Sequence, residues 1–161
     1  MTTETQRQHS IESVEIHKSI DIAAPIEVAF AAMLDEIGPD SQMMDGTPMP
    51  FKLEAWPGGR WFRDLGNNAG HLWGHVQVIK PPTLLEICGP LMMSYPAANH
   101  IQYRFTAQGS GTRLTFVHRG MGWITPEHRE GMTKGWSHWI EKIGARAERT
   151  STQSTSTQRK K

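Results

Sequence analysis

The stretch that decides the fold is GSGTRLTFVHRG, residues 109–120, and a second segment rich in tryptophan follows it closely. The glycines on either side of Ser110 predict a tight turn, and the alternation after them predicts a strand with Leu114, Phe116 and His118 on one face. That face is apolar apart from its last residue, so it belongs to a core. We therefore expect a half-buried strand that pairs with others in an antiparallel sheet.

The segment after this strand predicts a long amphipathic helix over residues 125 to about 147. Thr125 suits the N-cap, and Pro126 suits the first helical position, where its missing N–H costs nothing. Apolar side chains then recur at helical spacing along a single stripe, which consists of Met132, Trp136, Trp139, Ile140 and Ile143. We expect this stripe to face the sheet.

The remainder of the chain adds a second helix and more strands. Residues 14–22 alternate as a strand, and an apolar pattern of helical spacing runs over residues 26–37, between Pro25 and Gly38. After a turn-rich loop, six further strands are predicted over residues 51–56, 60–64, 70–80, 84–88, 100–107 and 112–119. This order indicates an α+β fold in which a curved, seven-stranded antiparallel sheet wraps around the C-terminal helix. Such an arrangement leaves a hollow beside the helix.

Length and composition limit the classes of protein to which the chain can belong. With 161 residues and a net charge of +1, the chain fits one domain and has no electrostatic case for binding nucleic acid. No run of about 18 apolar residues occurs, so we expect no membrane insertion. The single cysteine, Cys88, cannot form an internal disulfide, which suits a reducing compartment such as the cytoplasm. Residues 1–10 and 150–161 lack apolar periodicity and are expected to be disordered, which leaves residues 11–149 as the domain.

Histidines are the first candidates for chemistry. His118 ends an apolar strand face, where it is either a hydrogen-bonded core residue or a ligand contact. His71 and His75 flank Trp73 on one face of another strand, where they either line a pocket or lie at the surface. The strand rise separates the two by roughly 13 Å, which is too far to ligate one metal ion. No other zinc-type spacing occurs, so no metal site is predicted.

Glycines and tryptophans are candidates for a binding site. Gly131 and Gly135 lie inside the predicted helix, where each costs about 1 kcal/mol relative to alanine. They allow either the close approach of another element or room for a bound molecule. The chain has six tryptophans, and such side chains fill cores and also line pockets for apolar ligands. The candidate pocket residues are Trp61, Trp73, His118, Met132, Gly135, Trp136 and Trp139.

The usual motifs of catalysis are missing from the sequence. No glycine-rich phosphate loop follows a strand, no GxSxG elbow occurs, and Cys88 has no convincing histidine partner. Asp35, Glu36 and Asp40 cluster where the first helix ends, and a solvated surface explains them. We therefore predict no catalytic residues and no cofactor.

Several segments together resemble a known family. They are IDIAAPIEVAFAAM at 20–33, PGGRW at 57–61, GHVQVIKPPTLLEI at 74–87, GSGTRLTFVHRGM at 109–121, and the pair Gly135 and Trp136. Their order and spacing resemble the SRPBCC superfamily, also called START/Bet v 1-like. Within it, the chain is similar to the group named after the C-terminal domain of the activator of Hsp90 ATPase. The resemblance covers roughly residues 11–147.

The resemblance implies the helix-grip fold, with an apolar cavity between the sheet and the C-terminal helix. Members of the superfamily bind lipids, sterols or polyketides, and a few cyclise or hydrolyse their ligands. The eukaryotic namesake stimulates Hsp90 through an additional N-terminal domain, for which this chain is expected to have no room. Two departures from the family pattern would alter the pocket mouth: Phe30 replaces a tryptophan of many relatives, and Met43-Met44 replace a common tryptophan pair.

These observations favour a non-catalytic binding module for a small, largely apolar molecule. Two alternatives stay open. One is a cyclase- or hydrolase-type enzyme that uses His118, with His71 or His75 as a further acid or base. The other is a chaperone-associated or stress-response protein that acts through its surface. A homodimer is compatible with the sequence.

Overall fold

Seven antiparallel strands form one sheet in the computed structural model, which describes residues 1–158. They are β1 (Glu12–Ile22), β2 (Lys52–Leu53), β3 (Arg60–Gly66), β4 (Ala69–Lys80), β5 (Leu84–Gly89), β6 (Ala97–Gln108) and β7 (Gly111–Gly122). Their order across the sheet is β1-β7-β6-β5-β4-β3-β2. Two helices complete the fold, α1 (Ile26–Glu36) and α2 (Pro126–Gln158). The predicted α+β helix-grip architecture is confirmed.

Strand β7 has the alternation that the sequence predicted. Leu114, Phe116 and His118 are fully buried, while Arg113 and Arg119 on the opposite face form ion pairs with residues of β1. The strand pairs along its whole length with β1 on one side and β6 on the other. Strand β7 is therefore an inner strand, next to the edge strand β1, and α2 packs against its apolar face.

Helix α2 buries its predicted stripe against the sheet. Every member is at most 6% exposed, and the stripe consists of Met132, Trp136, Trp139, Ile140 and Ile143. The hydroxyl of Thr125 accepts a hydrogen bond from the N–H of His128 at 3.2 Å, which confirms the predicted N-cap. No described helix has the length and apolar character needed to cross a membrane.

The C-terminal end of α2 differs from the prediction. The helix was expected to end near residue 147, but it continues to Gln158. Serine and threonine have modest helix propensity, but inside a helix their hydroxyls can donate to carbonyls one turn back. Thr152 bonds to Glu148 in this way, at 2.9 Å, and Ser154 bonds to Thr150, at 3.1 Å. Residues 159–161 of the expected disordered tail lie outside the described part of the chain.

An ion-pair cluster joins α1 to α2. The Arg146 guanidinium lies 3.3 Å from the carboxylate of Asp35, 3.2 Å from Glu36 and 2.5 Å from Asp40. Glu36 is only 3% exposed, so its interpretation as part of a solvated surface is wrong. The three acidic side chains were grouped by sequence position, and the sequence pattern did not reveal the arginine 106 to 111 residues further along that pairs with them. This cluster holds the end of α1 beside the middle of α2.

Candidate functional site

A pocket of about 400 Å³ opens beside α2. Trp73 of β4, the connection between β5 and β6, and the loop that joins α1 to β2 (residues 37–51) enclose its other sides. Its lining is mostly apolar and consists of Gln42, Met43, Met44, Asp45, Met49, Trp73, Met92, Gly131, Met132, Gly135, Trp136, His138 and Trp139. A concave site of this size, with few polar groups, is typical of small-molecule binding.

Three tryptophans form one wall of the pocket. The rings of Trp73 and Trp139 lie 6.0 Å apart, and that of Trp136 lies 5.3 Å from Trp139. Phe51 and Trp61 pack behind this wall, with ring centroids 4.7 Å and 5.2 Å from Trp73. The planes of neighbouring rings in this wall are inclined by 50° and 54° to each other, so the wall is apolar but not flat, and the rings behind it hold it in place.

Methionines supply much of the remaining lining. Five of the nine in the chain take part, namely Met43, Met44, Met49, Met92 and Met132. Met43 and Met44 are 48% and 63% exposed and line the pocket at its mouth. A thioether side chain is flexible and polarizable, and it makes favourable contacts with aromatic rings. This part of the lining can therefore adapt to the shape of a ligand.

Gly131 and Gly135 leave space on the pocket side of α2. A methyl group on either Cα would meet no atom of the surrounding protein within 4 Å. Gly144 of the same helix differs, because a methyl group there would lie 2.9 Å from Ile20. Close packing therefore does not explain Gly131 and Gly135, and the structure supports the alternative interpretation, which is room beside the helix.

Two polar atoms of the lining residues have no hydrogen-bond partner. They are Nε1 of Trp73 and Nε2 of His138, and both atoms are buried. Two other buried indoles are satisfied: Trp61 donates to the carbonyl of Ile37 at 2.7 Å, and Trp136 donates to His118 at 3.0 Å. Buried polar atoms are normally paired, so these two are exceptions, and because both are buried they are not part of the surface that the pocket exposes.

The loop of residues 37–51 holds its shape through its own hydrogen bonds. The N–H of Met43 donates to the carbonyl of Thr47, and the N–H of Met49 donates to the carbonyl of Ser41, each at 2.8 Å. Hydrogen bonds from Thr47 to the Asp45 carboxylate lower the pKa of that carboxyl below its ordinary value. Asp45 therefore carries a negative charge at the rim of the pocket at neutral pH.

His118 lies in the core, outside the pocket lining. Its Nδ1 accepts the hydrogen bond from Trp136, so Nε2 carries the proton and donates to Oδ1 of Asn99 at 2.8 Å. Burial, with a smaller effect from the nearby charge of His100, lowers the pKa of the imidazole to about 4. The ring is therefore neutral at physiological pH and fully hydrogen-bonded. The sequence left two interpretations open, a hydrogen-bonded core residue or a ligand contact. The geometry is that of a hydrogen-bonded core residue.

Five of the seven candidate pocket residues come together in the lining: Trp73, Met132, Gly135, Trp136 and Trp139. Trp61 and His118 lie one layer deeper, each in contact with a tryptophan of the wall. Sequence reasoning did not select Gln42, Asp45, Met49, Met92 or His138. One signal could have found His138, because it lies three residues after Gly135 and seven after Gly131, on the same face of the helix.

The predicted common face of His71, Trp73 and His75 is interrupted by a β-bulge. The register between β3 and β4 shifts opposite Trp61 and Phe62, so that Trp73 turns into the core while His75 is exposed. The ring of His71 lies 6.2 Å from that of Trp73, and neither histidine lines the pocket. Within residues 1–158, no group of three or more acidic, histidine or cysteine side chains is arranged to hold a metal ion.

Cys88 is half-buried on the outer face of the sheet. Its thiol donates a hydrogen bond to the side-chain oxygen of Gln77 at 2.6 Å. Burial, together with the nearby charge of Glu86, raises the pKa of the thiol above its ordinary value. A thiol that is harder to ionise is a poor nucleophile, so Cys88 is not suited to nucleophilic chemistry.

The curved sheet, the long C-terminal helix and the pocket beside it define a helix-grip protein. The family model for activator of Hsp90 ATPase homolog 1-like proteins matches residues 23–148. The chain belongs to this family, and the resemblance read from its motifs is confirmed. No curated protein matches the sequence significantly.

Solved structures with this fold share little sequence with the chain. A protein from Rhizobium leguminosarum is 16% identical with a TM-score of 0.67, and the match covers 89% of this chain and 99% of that one. The Mll3558 protein from Rhizobium loti is 21% identical with a TM-score of 0.67, over 86% and 99% of the two chains. The di-domain ARO/CYC StfQ from the steffimycin biosynthetic pathway is 12% identical with a TM-score of 0.58, over 86% and 51%. These similarities establish the fold.

Proposed function

We propose that this protein is a non-catalytic binding module for a small, largely apolar molecule, held in the pocket beside α2. The observation that carries the proposal is the lining, in which three tryptophans, five methionines and two glycines surround about 400 Å³. Burial of apolar ligand surface in such a site contributes about 25 cal/mol per Å² before the costs of association. The neighbour StfQ, an ARO/CYC protein of steffimycin biosynthesis, is an example of this fold in small-molecule biosynthesis.

The histidines favour binding over catalysis. His118, which an enzyme mechanism would use, is 0% exposed and has both ring nitrogens hydrogen-bonded. His138 does line the pocket, but its Nε2 is buried without a partner, so this nitrogen has neither access to a ligand nor a second titratable group that orients it. A general acid or base needs both access to the ligand and an orienting partner, and neither histidine has the two together.

Titration with the neutral fluorescent probe N-phenyl-1-naphthylamine tests the proposal. We expect saturable binding near one equivalent, accompanied by quenching of tryptophan emission. The substitution Gly135→Leu fills the pocket and is expected to weaken binding at least about tenfold. The control is Glu141→Leu, which places the same side chain at an exposed position of α2 outside the lining and should leave binding unchanged. Absence of saturable binding, or equal binding by Gly135→Leu and the wild type, would overturn the proposal.

A further inference from the structure

A small hairpin projects from the loop that joins α1 to β2. It spans residues 41–49, and Gln42 and Pro48 form an antiparallel bridge within it. Near its tip, the N–H of Met43 donates to the carbonyl of Thr47 at 2.8 Å. We call this hairpin the flap. Because its own hydrogen bonds fix its shape, the flap can move as one unit.

The base of the flap is fixed to the body of the protein. The N–H of Phe51 donates to the carbonyl of Gly38 at 2.9 Å, which closes the loop below the flap. Asp40 forms an ion pair with Arg146 of α2 at 2.5 Å. Movement of the flap is therefore confined to the residues beyond this base.

The flap itself is weakly held. All residues from 43 to 48 are exposed, and Met49 is half-buried against the core. Within residues 1–158, one hydrogen bond joins the flap to the protein outside the loop of residues 37–51. It runs from Nζ of Lys142 in α2 to Oε1 of Gln42. A segment with so few buried contacts opens at a lower free-energy cost than a packed one.

Helix α2 changes character along the stripe that faces this loop. The stripe repeats at spacings of three and four residues and consists of Gly131, Gly135, His138, Lys142 and Arg146. Its two basic side chains bind the flap and its base. Its two glycines leave open space and line the same pocket as the flap. The stripe thus holds the flap at one end and leaves room for it to move at the other.

Lys142 lies outside the pocket lining, whereas its partner Gln42 is part of it. A substitution of Lys142 therefore changes how the flap is held without removing a contact to a bound molecule. This separation makes the effect of the flap measurable.

We propose that the flap is a lid of the pocket and that the hydrogen bond from Lys142 to Gln42 is its latch. When this bond breaks, the flap swings away from α2, and a small molecule enters or leaves through the gap. Lys142 is a positioning residue in this mechanism, because it acts through Gln42. The inference rests on the proposed function, since the flap covers the same pocket.

Stopped-flow kinetics with N-phenyl-1-naphthylamine test the latch. Lys142→Met keeps most of the side-chain length and removes the donor, so the open state becomes more populated. We expect the association and dissociation rate constants both to rise about fivefold, with the Kd within about twofold of the wild-type value, because opening precedes both steps. Lys134→Met is the matched control, since it removes a lysine of α2 whose bond is to Glu130 of the same helix. Its rate constants should equal those of the wild type.

Gln42→Glu makes the opposite change. A carboxylate accepts a hydrogen bond from an ammonium group more strongly than an amide oxygen does, so the latch should hold longer. Both rate constants should then fall below the wild-type values. This second variant decides the question if Lys142→Met folds poorly.

The outcomes separate the two proposals. A rise of the dissociation rate constant alone in Lys142→Met, or unchanged rate constants in both variants, would overturn the latch. If the probe does not bind the wild type, the proposed function fails, and ¹³C-methyl relaxation dispersion of the free protein then tests the flap. The expected result is exchange at Met43 and Met44 that grows in Lys142→Met, with none at Met33. Absence of exchange at Met43 and Met44 in both proteins would show a fixed flap and overturn the inference.

Discussion

The indole N–H of Trp136 in α2 donates to Nδ1 of His118 in β7 across 3.0 Å. On the other side of the imidazole, Nε2 bonds to Asn99 of β6 at 2.8 Å. The three side chains thus form a buried chain of hydrogen bonds from the helix to two adjacent inner strands. Because Trp136 also lines the pocket, this chain fixes the position of the pocket wall on the sheet.

The substitution Trp136→Phe should destabilise the fold by more than the packing lost around the smaller ring explains. It leaves Nδ1 of His118 buried without a donor, which costs about 1–3 kcal/mol in addition to the lost packing. Urea unfolding of the variant and the wild type measures the difference. Trp139→Phe is the matched control, because it shortens a neighbouring buried ring for which the structure shows no hydrogen bond. Equal losses for the two variants would show that the Trp136–His118 bond contributes nothing.

Stability should fall on acidification because His118 resists protonation in the fold. Its pKa is about 4 in the folded protein, where burial is the main cause, against about 6.5 in the unfolded chain. Between these values the unfolded state binds more protons, so the contribution is complete above the upper value and is lost as pH falls towards the lower one. From about pH 7.5 to about pH 5, the loss amounts to about 2 kcal/mol.

Unfolding free energies of the wild type and of His118→Gln across this range isolate the effect. Glutamine keeps hydrogen-bonding capacity and does not titrate, so the variant should lose less stability on acidification than the wild type. The pH dependence of all other groups cancels in the comparison. Parallel pH profiles for the two proteins would contradict the assigned protonation of His118.

Replacement of the pocket glycines by alanine should stabilise the protein. Gly131→Ala and Gly135→Ala each remove backbone freedom of the unfolded chain and meet no neighbouring atom, so we expect a gain of about 0.5–1 kcal/mol each. Gly120→Ala is the contrasting variant, because its methyl group would lie 2.2 Å from the side-chain oxygen of Asn99. It should cost about 1–3 kcal/mol. Chemical denaturation of the three variants measures their free energies of unfolding. Destabilisation by Gly135→Ala would mean that protein atoms occupy this face of α2.

Removal of residues 150–161 should leave the melting temperature within about 2 °C of the wild-type value. Ala147 is the last fully buried residue of α2, and the residues from 148 to 156 are exposed except Ser151, which is partly buried. The hydroxyl-to-carbonyl bonds of this last part are local to the helix and do not anchor it to the sheet. Thermal unfolding followed by circular dichroism measures the effect. A drop of several degrees would show that the tail stabilises the domain.

Much of the fold could be predicted from the sequence because it depends on short periodic patterns. Leu114, Phe116 and His118 alternate as a strand requires, and the stripe through Trp136 and Trp139 repeats as a helix requires. Strand β1 and the order of the later strands follow from the same signal. The structure keeps these patterns because each one places the apolar side chains of a single strand or helix on the side that faces the core.

Other features depend on partners distant in the chain and left no periodic signal. The bulge at Trp73 shifts the face of β4 by one residue, so alternation placed His75 on the wrong side. The pairing of Arg146 with Glu36 and of His118 with Asn99 needs three-dimensional proximity. Met49 and Met92 lie in connections without repeats, and they reach the pocket only because the loops fold over α2.

A titration followed by methyl NMR tests the binding site most directly. With ¹³C-methyl methionine labelling, N-phenyl-1-naphthylamine at saturation should shift the signals of the methionines that line the pocket, namely Met43, Met44, Met49, Met92 and Met132. The signals of Met33, on the buried face of α1, and of Met121, exposed on β7, serve as internal controls and should stay in place. Shifts confined to the lining methionines, with one equivalent bound, are the predicted result. Shifts at Met121 without shifts at Met132, or no shifts at any methionine, would contradict a ligand-binding pocket beside α2.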